Sequence, residues 1–164
     1  MDPNSWLKKF APGFDQLSAQ ERKAIKDFSM LWSLFEGTIL NTNANAAAII
    51  RTIDALKGQG RLTLKPFGIA VTYFSNRYYD GTNLTSEFNG LLLRTPDHKP
   101  LVEKVIKGQS TDDAEILSAI LIIVMRLRNN LFHGVKWSYG IHGQLANFNN
   151  ANNILMAVMA LHGP

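Results

Sequence analysis

The sequence predicts an all-α protein built as a bundle of helices. Apolar residues recur at alternating steps of three and four positions, which is the spacing of a helix face packed on a core. No segment alternates apolar and polar residues over five or more positions, as a half-buried strand would. With 164 residues, 46% of them hydrophobic and 18% charged, we expect residues 1–164 to form a single domain.

Helix boundaries in the first half of the chain are indicated by capping residues and prolines. Residues 1–17 include two prolines and a glycine, and we expect an irregular N-terminal arm anchored by Trp6, Phe10 and Phe14. The next helix is predicted to begin at Ser18, because Glu21 follows at the spacing of a capping box. Its core-facing stripe comprises Ile25, Phe28, Trp32, Phe35 and Ile39.

Two further helices are predicted before residue 80. One is expected from Ala46 to about Lys57, with Asn43 or Asn45 as its cap and two glycines after its end. The other is expected to start near Pro66, a residue that suits the first turn of a helix, and to continue to Tyr78.

The second half contains the longest apolar stretch of the chain. Short helices are predicted near Phe88–Leu93 and over Leu101–Lys107. A long helix follows, capped by Ser110 or Thr111, and it contains the apolar run Ile116–Leu127. The last helix is expected over Asn149–Leu161, with the asparagine-rich stretch Asn147–Asn153 at its start.

Composition narrows the function classes. The absence of cysteine excludes disulfides, thiolate nucleophiles and cysteine metal sites. A net charge of +4 is compatible with a polyanionic partner but does not require one. The N-terminus does not have the pattern of a signal peptide, and the apolar run is shorter than the roughly 20 residues that span a bilayer. We therefore expect a soluble cytoplasmic protein that does not act at a membrane.

The stretch Arg128–Gly134 concentrates groups that can hold and cut a phosphodiester. The guanidinium of Arg128 is permanently charged and matches phosphate oxygens, and the imidazole of His133 can accept or donate a proton near neutral pH. Asn129 could fix the imidazole tautomer or hold a phosphate oxygen. RNA carries its own nucleophile, the 2′-hydroxyl, so these groups suffice for cleavage without a metal.

Helical geometry does not place all three groups on one face. Asn129 and His133 are separated by roughly 40° on an ideal helix, whereas Arg128 and His133 are separated by roughly 140°. The helix could loosen near Gly134, the long arginine side chain could curl round, or Arg128 of one copy could work with His133 of another. The alternative is purely structural, with Arg128 solvated, Asn130 at a helix end and His133 as a C-terminal cap.

Other side chains could assist this stretch. Glu36 lies at the edge of the predicted stripe, where an acid needs a partner such as Arg128 or Arg126 unless it is an ordinary surface residue. Arg126 and Lys136 could contact the RNA backbone. The four histidines lack the three- or four-residue spacing of many metal sites, and phosphate-binding glycine loops and G-x-S-x-G are missing, so we expect no metal or cofactor.

The spelling R-N-x-x-x-H over Arg128–His133 resembles the signature of the HEPN superfamily. The aromatic segments Phe28–Glu36 and Tyr73–Tyr78 resemble prokaryotic members of the same group, and the likeness extends over most of Ser18–Leu161. The resemblance implies a HEPN-like up-and-down bundle with additional short helices, which dimerises and places two signatures in one cleft.

By position, the resemblance makes Arg128, Asn129 and His133 the catalytic set, with Glu36 and Asn130 as supporting residues. It implies a metal-independent endoribonuclease that serves as a toxin or an antiviral defence effector. Its partners would be RNA, a second copy of the chain, and an antitoxin or a defence-system protein. The alternative is a non-catalytic HEPN module that binds RNA, a nucleotide or a protein.

Overall fold

The protein is all-helical over the residues that its computed structural model describes, 2–134 and 141–163, as the sequence predicts. Only an isolated bridge between Tyr79 and Leu84 has extended pairing in these ranges. Two 3-10 turns, Lys65–Phe67 and Thr95–Asp97, precede α4 and α6. The eight α-helices described are α1 (Pro3–Phe10), α2 (Ala19–Thr38), α3 (Ala46–Gly58), α4 (Gly68–Tyr78), α5 (Ser86–Asn89), α6 (Lys99–Ile106), α7 (Asp113–Phe132) and α8 (Leu145–His162).

Capping side chains determine where α2 and α3 begin, and both predictions are confirmed. In α2 the hydroxyl of Ser18 accepts the Glu21 N–H at 3.1 Å, and the Glu21 carboxylate accepts the Ser18 N–H at 2.9 Å. In α3 the carboxamide oxygen of Asn45 accepts the Ala48 N–H at 2.9 Å.

The cap predicted for α7 is wrong by one or two positions. Asp112, rather than Ser110 or Thr111, precedes the first turn, and its carboxylate accepts the N–H groups of Ala114 and Glu115 at 2.8 and 3.1 Å. A carboxylate satisfies two free donors and also carries the charge that a helix N-terminus favours. The Ser110 hydroxyl instead donates to the carboxylate of Glu115.

The prediction of an irregular N-terminal arm is wrong for residues 3–10, which form the helix α1. Asp2 caps α1 by accepting two backbone N–H groups, and Pro3 occupies a position where its missing N–H is no loss. Trp6 and Phe10 are 46% and 55% exposed and stack on each other, so only Phe14 of the three predicted anchors is buried.

Two other predicted boundaries also shift. The short helix predicted near Phe88–Leu93 is α5, over Ser86–Asn89. The last helix starts at Leu145 rather than Asn149, so its asparagines lie within the helix and do not cap it. Asn147 accepts a hydrogen bond from the Tyr73 hydroxyl and Asn152 donates to the Ala24 carbonyl, which gives these polar side chains partners on α4 and α2.

The centre of the molecule is α7, whose residues from Leu117 to Leu127 are all buried. Helices α3 and α6 pack along it, while α2 packs along α8 and α4 contacts α8, α6 and α7. The last turn of α7 emerges beside the C-terminal half of α2, where side chains of the two helices meet. None of the helices in the described ranges combines the length and apolarity needed to cross a membrane.

Candidate functional site

An open groove lies between α2 and the C-terminal end of α7. It has a volume of about 850 Å³, and we call it the α2–α7 groove. Its walls include two exposed apolar residues of α2, the end of α7 and an ion pair between the helices. The lining residues that matter below are Met30, Trp32, Leu34, Glu36, Arg128 and Phe132.

Arg128 is held in this groove from several sides. Its Nη2 lies 3.5 Å from Oε2 of Glu36, and its Nη1 donates to the carboxamide oxygen of Asn129 at 3.1 Å. The guanidinium carbon lies 5.2 Å from the centre of the Phe132 ring and 5.9 Å from that of Trp32, within cation–π range. These contacts fix the orientation of a planar cation before any ligand arrives.

Glu36 accepts a hydrogen bond within α2 and forms an ion pair with α7. The Trp32 indole N–H donates to Oε2 of Glu36 at 2.6 Å, and the same oxygen faces Arg128. Of the two alternatives for Glu36, an ion pair or an ordinary surface position, the structure has the ion pair, with Arg128 as the partner; the carboxylate partner of Arg126 is Asp97. The Arg128 and Glu36 side chains are 30% and 23% exposed, so an incoming anion can reach the guanidinium from the groove.

Asn129 serves the arginine rather than the histidine. Its side-chain oxygen accepts from Arg128, whereas its backbone carbonyl accepts the His133 N–H at 2.9 Å. The first contact orients the guanidinium, and the second continues the helix up to its last residue.

His133 is the C-terminal cap residue of α7, and its side chain is exposed. The described residues that line the α2–α7 groove do not include it, and its imidazole has no hydrogen-bond partner among them. Within one chain the structure therefore brings Arg128, Asn129 and Glu36 together and leaves His133 outside the groove. This separation agrees with the angle of roughly 140° between positions 128 and 133 on a helix.

Asn130 has a different task from the supporting role predicted for it. The side chain is 2% exposed and donates to the backbone carbonyls of Gly90 and Leu91 at 3.0 and 3.4 Å. It ties the segment after α5 to α7 and does not face the α2–α7 groove.

The prediction that Arg126 contacts RNA is wrong, because its guanidinium is buried. The residue is 6% exposed, donates from Nε to the Leu91 carbonyl at 3.0 Å, and lies 3.4 Å from Oδ2 of Asp97. Burial lowers the pKa of this guanidinium from its usual range, and Asp97 opposes that effect. Lys136, the other predicted RNA contact, lies outside the described residues.

Two functional neighbours were missed from the sequence. Trp32 was assigned to the core alone, although its four-residue spacing to Glu36 is the signal for its indole contact. Phe132 follows Arg128 at the same spacing and is 55% exposed, so its ring forms part of the groove wall.

The described ranges contain no group of three acidic, histidine or cysteine side chains placed to hold a metal ion. The arrangement that they do contain can bind an anionic group at Arg128 and exchange protons at an exposed imidazole. In comparisons with known proteins, no family model, curated protein or solved structure matches the chain.

Proposed function

We propose that the protein is a metal-independent endoribonuclease of HEPN type, acting as a toxin or an antiviral defence effector. One observation carries the proposal: Arg128 is held by Glu36 and Asn129 in the wall of an open groove, five residues before an exposed His133. A guanidinium fixed in advance is what stabilises charge developing on a phosphoryl group.

The chemistry requires no group beyond RNA and these side chains. His133 as the neutral imidazole takes the proton of the 2′-hydroxyl, and the 2′-oxygen forms a bond to phosphorus. Arg128 stabilises the extra charge on the pentacoordinate phosphorus. The bond between phosphorus and the 5′-oxygen then breaks, and that oxygen takes a proton from water. The products are a 2′,3′-cyclic phosphate and a 5′-hydroxyl end.

A second copy of the chain would unite the two groups. Arg128 lies in the groove, and His133 lies on another face of the same helix end. The proposal is a two-fold dimer that buries the exposed Met30, Leu34 and Phe132 and in which His133 of one protomer meets Arg128 of the other. The resulting pair of composite sites is the arrangement that the proposal requires.

Glu36 limits how strongly Arg128 binds RNA. A carboxylate already 3.5 Å from the guanidinium partly neutralises it, so a phosphate must share the cation with Glu36. The same carboxylate keeps Arg128 oriented, which favours catalysis over tight binding of the substrate.

RNA cleavage by variants tests the proposal. Purified wild type, His133→Ala and Arg128→Ala are incubated with mixed RNA in EDTA, with His142→Ala and Arg51→Ala as exposed controls of the same residue types. We expect wild type and both controls to cleave and to leave cyclic phosphate ends. His133→Ala should lose roughly 100- to 10,000-fold in rate, since that is the usual contribution of acid–base assistance.

The alternative function is a non-catalytic module that binds RNA, a nucleotide or a protein partner. The observation that favours it is the Glu36–Arg128 pair, which already satisfies a large part of the arginine charge without a ligand. Binding of RNA by wild type and both site variants, with no cleavage by any of them, would support the module and reject the nuclease. Growth inhibition on expression, relieved by His133→Ala, would support the toxin.

A further inference from the structure

Helix α1 (Pro3–Phe10) is attached to the rest of the protein by one narrow side. None of its residues is buried, and only Leu7 is partly buried, where it packs against the core together with Ala11. Trp6 and Phe10 are each about half exposed, and their rings stack on each other with centres 4.7 Å apart. Two large aromatic side chains therefore lie on an outer face of α1.

The polar side of α1 carries two lysines. On an ideal helix Lys9 and Lys8 are turned by roughly 100° and 160° from Phe10, so charged and aromatic side chains occupy different faces. The Lys9 ammonium lies 5.3 Å from the centre of the Phe10 ring, which brings a cation to the border of the aromatic face. No described carboxylate lies within 4.0 Å of either ammonium group, so both are available to an anionic partner.

The first turns of α2 add cations beside α1. Arg22, Lys23 and Lys26 line a cavity of about 510 Å³, and Leu7 of α1 belongs to another of its described walls. Of these three cations, only Lys23 lies within 4.0 Å of a described carboxylate. The region around α1 therefore presents further positive charge to solvent.

Most acids of this region are already engaged within the protein. Asp2, Glu21 and Asp27 are three of the four acids in residues 2–27; the first two accept backbone N–H groups at helix starts, and the third forms an ion pair. Hydrogen bonds from Ser5 lower the pKa of Asp2, and the charge of Lys8 contributes less. The carboxylates of these three acids therefore serve local structure.

The size of α1 favours a membrane surface over a protein as its partner. Eight residues form a helix about 12 Å long, and one face of it offers far less than the roughly 800 Å² that each partner buries in a stable protein interface. A bilayer surface needs no such area, because aromatic side chains enter the interfacial layer individually. Lysines reach anionic headgroups through their flexible stems.

We propose that α1 docks on a membrane surface that contains anionic phospholipids. Trp6 and Phe10 enter the interfacial layer, and Lys8 and Lys9 lie at the level of the headgroups, which is the arrangement of an amphipathic helix in the interface plane. The contact requires neither a signal peptide nor a spanning helix, the two features on which the expectation of no membrane role rests. It goes beyond the proposed nuclease, because α1 does not line the α2–α7 groove.

Co-sedimentation with lipid vesicles tests the docking. The wild-type chain is mixed with vesicles of phosphatidylcholine, with and without phosphatidylglycerol, at low and high salt. We expect binding to the anionic vesicles that is at least tenfold tighter than to the neutral ones and that weakens as salt is added. Equal binding to both kinds of vesicle, or no binding to either, would overturn the proposal.

Variants locate the contact on α1. Trp6→Ala and Phe10→Ala should each weaken binding at least fivefold, and Lys9→Gln should weaken it roughly fivefold. The matched controls Ile69→Ala, which removes an 84% exposed side chain of α4, and Lys65→Gln should bind as wild type does. Equal binding by wild type and Trp6→Ala would reject α1 as the docking element.

Indole fluorescence gives a second measurement. The emission of wild type should shift to shorter wavelength as anionic vesicles are added, and Trp6→Phe should still sediment with the vesicles but without that shift. An unchanged shift in Trp6→Phe would contradict the insertion of Trp6. RNA binding or self-association that is lost in Trp6→Ala, with no vesicle binding by wild type, would assign the face to that other partner and overturn the proposal. Cleavage of RNA in solution should be equal for wild type and Trp6→Ala, so the outcome with vesicles is independent of the proposed nuclease.

Discussion

At the scale of single residues, the carboxylate of Glu36 joins two helices through two different donors. It accepts from the Trp32 indole at 2.6 Å and lies 3.5 Å from the Arg128 guanidinium. Trp32 is only 2% exposed, whereas the Arg128 side chain is 30% exposed. Loss of the carboxylate would leave the buried indole N–H without an acceptor, and Arg128 would keep only the carboxamide oxygen of Asn129.

Glu36→Ala should therefore destabilise the fold by about 1–3 kcal/mol, measured as the free energy of unfolding in urea. Glu36→Gln should lose less of the free energy of unfolding, because an amide oxygen can still accept the hydrogen bond from Trp32. Asp27→Ala is the matched control on α2, since its partner Lys23 is 76% exposed and surface ion pairs contribute at most about 1 kcal/mol. Equal stability of Glu36→Ala and wild type would show that the contact contributes nothing.

Residue types allowed the site to be predicted only in part. Arg128 and its pairing with Glu36 could be predicted, because a guanidinium and an acid at a stripe edge need each other. The burial of Arg126 and its ion pair with Asp97 could not be predicted, since only tertiary packing brings Asp97 to the buried face of α7. The structural role of Asn130, predicted as a supporting site residue, could not be predicted for the same reason, because its acceptors lie about 40 positions away in the chain.

At the scale of elements, the helix starts that depend on local capping residues could be predicted, and the start that depends on tertiary contacts could not. The capping box of α2 and the Asn45 cap of α3 depend on residues within three positions, so the sequence alone contains them. The start of α8 depends on distant partners instead. Asn147 and Asn152 lie within the helix because Tyr73 and the Ala24 carbonyl supply their hydrogen bonds. Without those partners, asparagine favours helix caps and turns.

Glu21 links the start of α2 to the segment before α8. One carboxylate oxygen accepts the Ser18 N–H, and the other accepts the Gly143 N–H at 2.6 Å. The Ser18 backbone bond, followed by the Ser18 hydroxyl and the Gly143 N–H, lowers the pKa of Glu21 below its ordinary 4.5. The stabilisation of the fold by the charged Glu21 carboxylate is therefore complete above pH 4.5. It is lost as the pH falls through the lower pKa that Glu21 has in the folded protein.

Glu21→Gln should consequently be less stable than wild type near neutral pH, by a difference that stays constant down to about pH 5. Below pH 4.5 the difference should shrink, because wild type then loses the charge that the variant never had. Urea unfolding at a series of pH values measures both curves. A difference that persists unchanged to pH 3 would contradict the role of the Glu21 charge.

At the scale of the whole molecule, the end of α7 presents different side chains to different surroundings. Arg128 faces the α2–α7 groove, while Asn130 is buried against the segment after α5. His133, at the end of the same helix, is not among the described residues that line the α2–α7 groove. We therefore propose that Arg128 and His133 of one nuclease site come from different copies of the chain.

A heterodimer of two inactive variants tests this arrangement. Arg128→Ala and His133→Ala chains with different tags are co-expressed, and the mixed dimer is isolated through both tags. If each site takes Arg128 from one protomer and His133 from the other, one site loses both groups and the second keeps both. The mixed dimer should then regain roughly half of the wild-type cleavage rate.

The control is a dimer isolated in the same way from two differently tagged Arg128→Ala chains, in which both composite sites lack the guanidinium and no cleavage is expected. If Arg128 and His133 instead work within one chain, each protomer of the mixed dimer lacks one group and the activity stays at the background of the control. If the two tags do not co-purify, the chains do not form the dimer that the proposal requires. Recovery of activity would distinguish a shared site from a structural loss, because two misfolded chains would not restore each other.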